Sequence, residues 1–371
     1  MRVIISLITV LSLCLQAPAS GEPGPDARHM RIGTTFSQRQ SLYLEQDWEK
    51  AYLVVLDVGF DMVRLGAYWD EIEKREGEYD FSVLDWQVNE ARKRGIPVLL
   101  TVGMKAPRWP EFFIPEWVKA RAKIRFGTDV SKDAFLRDKT LKFIRETVLH
   151  FNGNEGVGYW QAENEPLDRS GPDMLWIGPD FLKQEAELIR SLDTGKRPVV
   201  VNIATYPNKF LYFMSRLGSG TSPLQDALSI CDILGVNIYP VVGHKLWWIK
   251  LYFWTHSHER EELFSHVMTE AGRWGKDVWV TELQAEPWEP GELVHKGEGT
   301  PITASPDMTE TALDELDASG INTVLLWGCE YWIYRVARYK DKGWWLKFFD
   351  ILREKNNKMT NVTVKERREK R

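Results

Sequence analysis

Two glutamates carry the chemical argument. In Tyr159-Trp160-Gln161-Ala162-Glu163-Asn164-Glu165-Pro166, an apolar, aromatic run of strand type ends on carboxylates and an amide. Proline cannot donate to a sheet ladder and pushes the residue before it towards extended backbone. The strand should therefore stop here, with Asn164 and Glu165 at its mouth. Glu163 and Glu165 have the same strand parity, so periodicity does not choose between them. In Val278-Trp279-Val280-Thr281-Glu282, a second acid closes an apolar run, and alternation puts Glu282 on the face of Val278 and Val280. A buried glutamate needs a partner, and Arg64 or Tyr239 is placed to supply one. Two carboxylates flanking a bond, one protonated and one ionised, are what glycoside hydrolysis needs. The plainer readings are a solvated loop acid at Glu165 and a buried Glu–Arg bridge at Glu282.

The elements that must position these groups form a regular series. Strand-like runs cover Met30 to Thr35, Met62 to Trp69, Pro97 to Gly103, Val157 to Glu165, Pro198 to Thr205, Ile233 to Tyr239, Val278 to Leu283 and Thr323 to Trp332. Several are near-continuous apolar stretches, as strands buried on both faces should be. Amphipathic helical patterns lie between them: Phe81 to Arg94, Phe135 to Phe151, Asp180 to Leu192, Glu259 to Trp274 and Met308 to Ala318. Gly95 and Gly275 mark two helix ends. Strand–helix alternation repeated this often predicts an α/β fold, a (β/α)8 TIM barrel in a single catalytic domain over residues 20–355. In such a barrel the catalytic groups sit at the C-terminal strand ends. Those positions hold Arg64 on the second strand, Asn164 and Glu165 on the fourth, Asn237 and Tyr239 on the sixth, Glu282 on the seventh, and Trp327 and Glu330 on the eighth. Val242 to His256, rich in Trp, Leu and Phe, follows the sixth strand at the active-site rim. It reads as a hydrophobic helix against the barrel wall, with an aromatic sugar platform or a membrane-surface or partner patch as alternatives.

Composition bounds the function. The 371 residues are 43% hydrophobic and 27% charged, enough for a large core. A net charge of −5 with no basic domain argues against nucleic acid. Arg2, the apolar run Val3 to Leu15 and Ala17-Pro18-Ala19 read as a signal peptide over residues 1–19. The expected location is secreted or periplasmic, with a retained membrane anchor as the lesser reading and no integral span, since the run is short of the ~20 residues a span needs. Cys231 and Cys329 are expected as free thiols, residues 356–371 as a loose basic tail, and Asn361-Val362-Thr363 matches a glycosylation sequon. The seven histidines show no metal-binding spacing, and no phosphate loop or serine elbow is present, so neither metal nor cofactor is expected.

The strand ends resemble the clan of retaining glycoside hydrolases built on (β/α)8 barrels. Asn164-Glu165-Pro166 matches the clan's fourth-strand form, and Val280-Thr281-Glu282 is similar to its nucleophile strand. The resemblance implies Glu165 as acid/base, Glu282 as nucleophile and Asn164 as a donor to the sugar 2-hydroxyl. It also implies Arg64 and Tyr239 beside the nucleophile and the Trp327 indole under the sugar. Trp69-Asp70-Glu71-Ile72 and Pro107-Arg108-Trp109-Pro110 resemble clan passages after the second and third strands, which makes Trp69 and Trp109 supporting residues. The pattern departs from family 5, which usually has histidines where this chain has Asn237 and the stretch Thr101 to Gly103. It also resembles families 39 and 42. The expectation is a retaining glycosidase acting on a β-linked carbohydrate. A transglycosidase and an inactive carbohydrate-binding barrel are the alternatives.

Overall fold

The structure, a computed structural model, describes residues 30–206 and 222–354. The expected signal peptide, basic tail and sequon lie outside those residues. The strands in chain order are β1 (Arg31–Thr35), β2 (Val63–Gly66), β3 (Val98–Val102), β4 (Val157–Ala162), β5 (Val199–Ala204), β6 (Ile233–Ile238), β7 (Val241–Leu246), β8 (Ile249–Trp254), β9 (Asp277–Gln284) and β10 (Thr323–Trp327). Eight of them close a barrel in the order β1-β10-β9-β6-β5-β4-β3-β2. Every pairing in it is parallel. Helices α1 (Trp48–Leu56), α2 (Ser82–Lys93), α3 (Ala134–Phe151), α4 (Pro179–Leu192), α5 (Pro223–Ile230), α6 (Ser257–Trp274), α7 (Pro306–Ala318) and α8 (Cys329–Tyr339) follow the barrel strands in turn. This is the expected (β/α)8 barrel.

Burial explains the near-continuous apolar runs, because β2, β3 and β6 are buried at every residue. Outward-facing residues such as Val98, Leu100 and Val102 join Phe143, Ile144 and Val148 of α3 in one large core. Each such side chain contributes ~1.5–3 kcal/mol when fully buried. Inside the barrel, Met62, Leu99, Val200, Ile233, Trp279 and Leu325 form an apolar floor. Above that floor the buried inward positions turn polar, with Arg64, Thr101, Gln161 and Asn202. Gly235 lets these side chains cross, since a Cβ there would stand 2.6 Å from Asn202 Cβ and 2.8 Å from Thr281 Cγ2. Among the described residues, no helix is long and apolar enough to cross a membrane. Cys231 and Cys329 are buried free thiols.

Three expectations are corrected. The second strand ends at Gly66, and Trp69 lies beyond it on a short helix. The eighth strand does not run to Trp332 but ends at Trp327. Gly328, with φ 112°, turns the chain into α8, so Glu330 lies on a helix. A Cβ at position 328 would be 2.2 Å from Glu286 Cβ, so the close approach requires glycine. The segment Val242 to His256 is not a helix. It builds the antiparallel hairpin β7–β8, with Trp247 and Trp248 at the turn, 76% and 81% exposed. Its period is two: His244 pairs with Leu251 and Leu246 with Ile249 on one face, while Gly243 pairs with Tyr252 and Lys245 with Lys250 on the other. The second face rests on the loop after β9, where Tyr252 donates to Glu289 at 3.0 Å and Lys250 pairs with Glu292.

Candidate active site

Glu282 reaches the barrel interior through an irregularity. Val278 and Val280 belong to the core between strands and helices, whereas Trp279 belongs to the barrel floor. Simple alternation would send Glu282 outwards with the two valines. The register breaks instead: Val236 pairs with Val280 but Asn237 with Glu282, so β9 carries one extra residue at Thr281. A bulge of this kind flips the parity beyond it and re-aims the side chain. Thr281 donates to Asn237 Oδ1 at 2.7 Å. Glu282 takes Arg64 Nη2 at 2.6 Å on one oxygen and the Tyr239 hydroxyl at 2.5 Å on the other. Both members of the Arg64–Glu282 ion pair are buried. Burial, with the Glu282 charge beside it, raises the Tyr239 phenol well above its ordinary value, so it stays a donor.

At the end of β4 the backbone does not stay extended before Pro166. Glu163 and Glu165 have φ of 60° and 45°, a left-handed conformation that non-glycine residues adopt only where surroundings fix it. Here Glu165 N–H donates to Asn202 Oδ1 at 2.8 Å, and the Lys105 ammonium donates to the Glu165 carbonyl at 2.5 Å. With these two left-handed residues the acids take different partners. Glu163 is fully buried and accepts the Met104 and Lys105 N–H groups. Glu165 accepts from Asn237 Nδ2 at 2.7 Å. Asn164 is held by Asn202 Nδ2, 2.9 Å from its Oδ1, which turns its own Nδ2 away from that contact. Burial raises the Glu165 carboxyl well above the carboxylate range, and the negative charges of Glu282 and Glu111 add to the shift.

Asn237 places the acids relative to each other. It neighbours Glu282 across the β6–β9 ladder, and its amide reaches Glu165 from the other side. Glu165 is therefore tied to the residue that neighbours Glu282 across the ladder, at one barrel mouth. Among the described residues, no group of histidines, cysteines or acids is arranged to hold a metal ion.

Residues 41–174 match the model of the family described as beta-galactosidase, glycoside hydrolase family 42. Over 134 residues the chain is 29% identical to beta-galactosidase BbgII of Bifidobacterium bifidum, a match covering 33% of this chain and 19% of that protein. It is 27% identical over 145 residues to beta-galactosidase BgaA of Clostridium cellulovorans, covering 37% of this chain and 22% of that one. The matches thus span about a fifth of those relatives. The fold aligns with the cold-adapted beta-galactosidase from Rahnella sp. R3 (TM-score 0.57, 14% identity, 82% of this chain and 51% of that one). It also aligns with the exo-beta-1,4-mannosidase Op5Man5 from Opitutaceae bacterium strain TAV5 (0.54, 17%, 81% and 52%). Xylanase 10B from Thermotoga petrophila aligns over 88% of this chain and 95% of its own (0.52, 16%). The chain is similar to the (β/α)8-barrel glycoside hydrolases. The family match includes Arg64, Asn164 and Glu165 and stops well short of Glu282.

The structure brings Arg64, Asn164, Glu165, Asn237, Tyr239 and Glu282 into one hydrogen-bonded group. Trp327 borders it, its ring centroid 5.7 Å from the Arg64 guanidinium and 4.0 Å from that of Arg108. Trp109 is exposed on the loop after β3. Trp69 is placed elsewhere: fully buried, it stacks on Phe143 at 5.3 Å and donates to Glu73. Glu330 is also fully buried, accepting Ser37 N–H at 2.6 Å and Arg108 Nη2 at 2.7 Å. Both stand behind the site. Sequence reasoning missed Asn202, Lys105 and the Arg108–Glu286 ion pair. An isolated amide closing Val199-Val200-Val201-Asn202 was a readable signal for the first. Nothing local announces the others. Trp288, half-exposed with its ring 6.2 Å from that of Tyr239, was also missed.

Proposed function

We propose that this chain is a retaining glycosidase acting on β-linked glycosides. The observation that supports the reading best is that Glu165 is hydrogen-bonded to Asn237, the cross-strand neighbour of Glu282, while the two acids have unlike partners. Glu282, oriented by Arg64 and Tyr239, attacks the anomeric carbon from one face. Arg64 supplies the counter-charge for a carboxylate that loses its charge as the glycosyl bond forms. Glu165, held protonated by burial and neighbouring charge, gives its proton to the leaving oxygen. The ionised Glu165 then takes a proton from water, which attacks the glycosyl–enzyme and returns Glu282 as a carboxylate. Asn164 donates to the sugar 2-hydroxyl and the Trp327 indole packs on a sugar face.

The beta-galactosidase relatives make β-galactosides the first substrates to try. A panel of aryl β-glycosides and β-glycan polymers, with Glu282→Ala as control, tests the reading. Turnover that survives in the variant contradicts it. The residues Arg2 to Ala19 support export, secreted or periplasmic, and N-terminal sequencing of the mature protein tests that. The exposed Trp247 and Trp248 on the rim favour transglycosylation as a second activity. Product analysis at high sugar concentration distinguishes it from hydrolysis alone.

A further inference from the structure

Glu163 stands two residues before Glu165 and takes no part in the double displacement. Its carboxylate joins the end of β4 to the turn leaving β3, through Met104 N–H at 2.9 Å and Lys105 N–H at 2.5 Å. Gly103 makes room for it, since a Cβ there would lie 2.2 Å from Glu163 Oε1. From the helix layer, the Glu185 carboxyl of α4 faces the Glu163 carboxyl, near enough for one to donate to the other only if it carries a proton. Glu185 is fully buried, and among the described residues no N–H or hydroxyl group donates to either of its oxygens. Two ionised carboxylates have only acceptors to offer each other, so this contact needs a proton. Glu163 already has two N–H donors, which favour its charge. The proton therefore sits on Glu185, in line with a carboxyl raised well above its usual range by burial and by Glu163.

We propose that Glu185 is a positioning residue: its acid proton, donated to Glu163, locks the turn that presents Glu165 at the barrel mouth. The proposal rests on the reading of Glu165 as the acid/base. Glu163, Asn164 and Glu165 are consecutive, and two of them hold left-handed backbone that tertiary contacts must fix. The Glu163 carboxylate is one of those contacts, and Glu185 is what holds it against the β3 turn. Loss of the shared proton would put two like charges behind the turn. Two cations face the pair, the Lys105 ammonium from the β3 turn and the Arg137 guanidinium from α3. Lys105 is committed to the Glu165 carbonyl and Arg137 to Gln184 at 2.7 Å.

Two variants test this. Glu185→Gln keeps a donor towards Glu163 and cannot ionise, whereas Glu185→Leu keeps bulk and removes the donor. Hydrogen exchange at the Met104 and Lys105 amides reads the lock directly, and kcat and KM across pH on a poor-leaving-group β-glycoside read its consequence. Glu185→Gln should keep wild-type protection and kcat, and should hold that protection at alkaline pH where wild type loses it. Glu185→Leu should exchange at least about tenfold faster at those amides and lose about tenfold in kcat with KM little changed. Unchanged exchange in Glu185→Leu overturns the proposal. So does a Glu185→Gln variant as damaged as Glu185→Leu, because that is the behaviour of an ionised Glu185. If the Leu variant fails to fold, wild type against Glu185→Gln decides, since only wild type should lose amide protection at alkaline pH. Exchange needs no substrate, so protection as expected without glycoside turnover counts against the glycosidase reading and not against the lock.

Discussion

At Glu165, burial and the nearby charges of Glu282 and Glu111 keep the proton bound well above the ordinary carboxylate range. The general acid is lost as pH rises through that raised value, so turnover of substrates with poor leaving groups should fall on the alkaline side. Activated aryl glycosides, which need little protonation, should hold their rate further up. Glu165→Ala should slow poor leaving groups by about 10²–10⁴-fold and good ones far less; an equal loss for all would contradict an acid role. Asn237→Ala removes a donor that favours the charged form of Glu165. Its alkaline limb should move upward in a kcat/KM–pH profile, while a downward shift would assign Asn237 another role. Asn164-Glu165-Pro166 was legible in the sequence as a strand end with an acid. The choice of Glu165 over Glu163 was not legible in periodicity, because both acids lie beyond the strand on left-handed backbone, where alternation no longer applies. Arg108 with Glu286 and Glu330 was not legible at all, because the partners lie 178 and 222 positions apart and meet only in the closed barrel.

Among the elements, β9 shows where pattern reading succeeds for an incomplete reason. The run Val278 to Glu282 announced a strand ending on an acid, yet strict alternation put Glu282 on the wrong face. The extra residue at Thr281 corrects the aim, and a bulge leaves little trace in a strand's composition. The hairpin β7–β8 was misread because an apolar, aromatic segment fits either period, and only its cross-strand partners settle on two. Its tip side chains stand in solvent, so replacing Trp247 and Trp248 by Ser should change unfolding free energy by no more than about 0.5 kcal/mol each. A larger loss in denaturant titration would mean the tip packs on the barrel. Gly103 is the opposite case, with φ 132° and the Glu163 carboxylate where a Cβ would go. Gly103→Ala should cost about 1–3 kcal/mol of stability and most of the activity. Wild-type behaviour in both assays would remove Glu163 from the account of how the β4 end is held.

Across the whole molecule, the eight barrel strands were readable, because strands buried on both faces must be apolar runs, whereas α1 and α5 were not named and the start of α8 was taken into the last strand. The polar layer above the floor was readable only in pieces, since each strand contributes one or two members. That layer gives the protein a pH-dependent stability. Burial, with Glu330 sharing the same arginine, pushes the Glu286 carboxyl up to about 7 from 4.5, against the pull of Arg108. The folded state therefore binds this proton more tightly than the unfolded state. The stability it contributes is complete below about 4.5 and lost as pH rises to about 7, roughly 3 kcal/mol over that window. Glu286→Gln cannot titrate, so chemical denaturation should show it gaining on wild type by that order between the two pH values, and a constant difference would contradict it. The central claim is double displacement by two glutamates at one mouth. A 2-deoxy-2-fluoro β-glycoside with a good leaving group should trap its first half, read by mass spectrometry of the digested protein. The account predicts one glycosyl unit on the peptide holding Glu282, absent in Glu282→Ala. A label on any other residue, or turnover with no trapped intermediate and an inverted product, would contradict it.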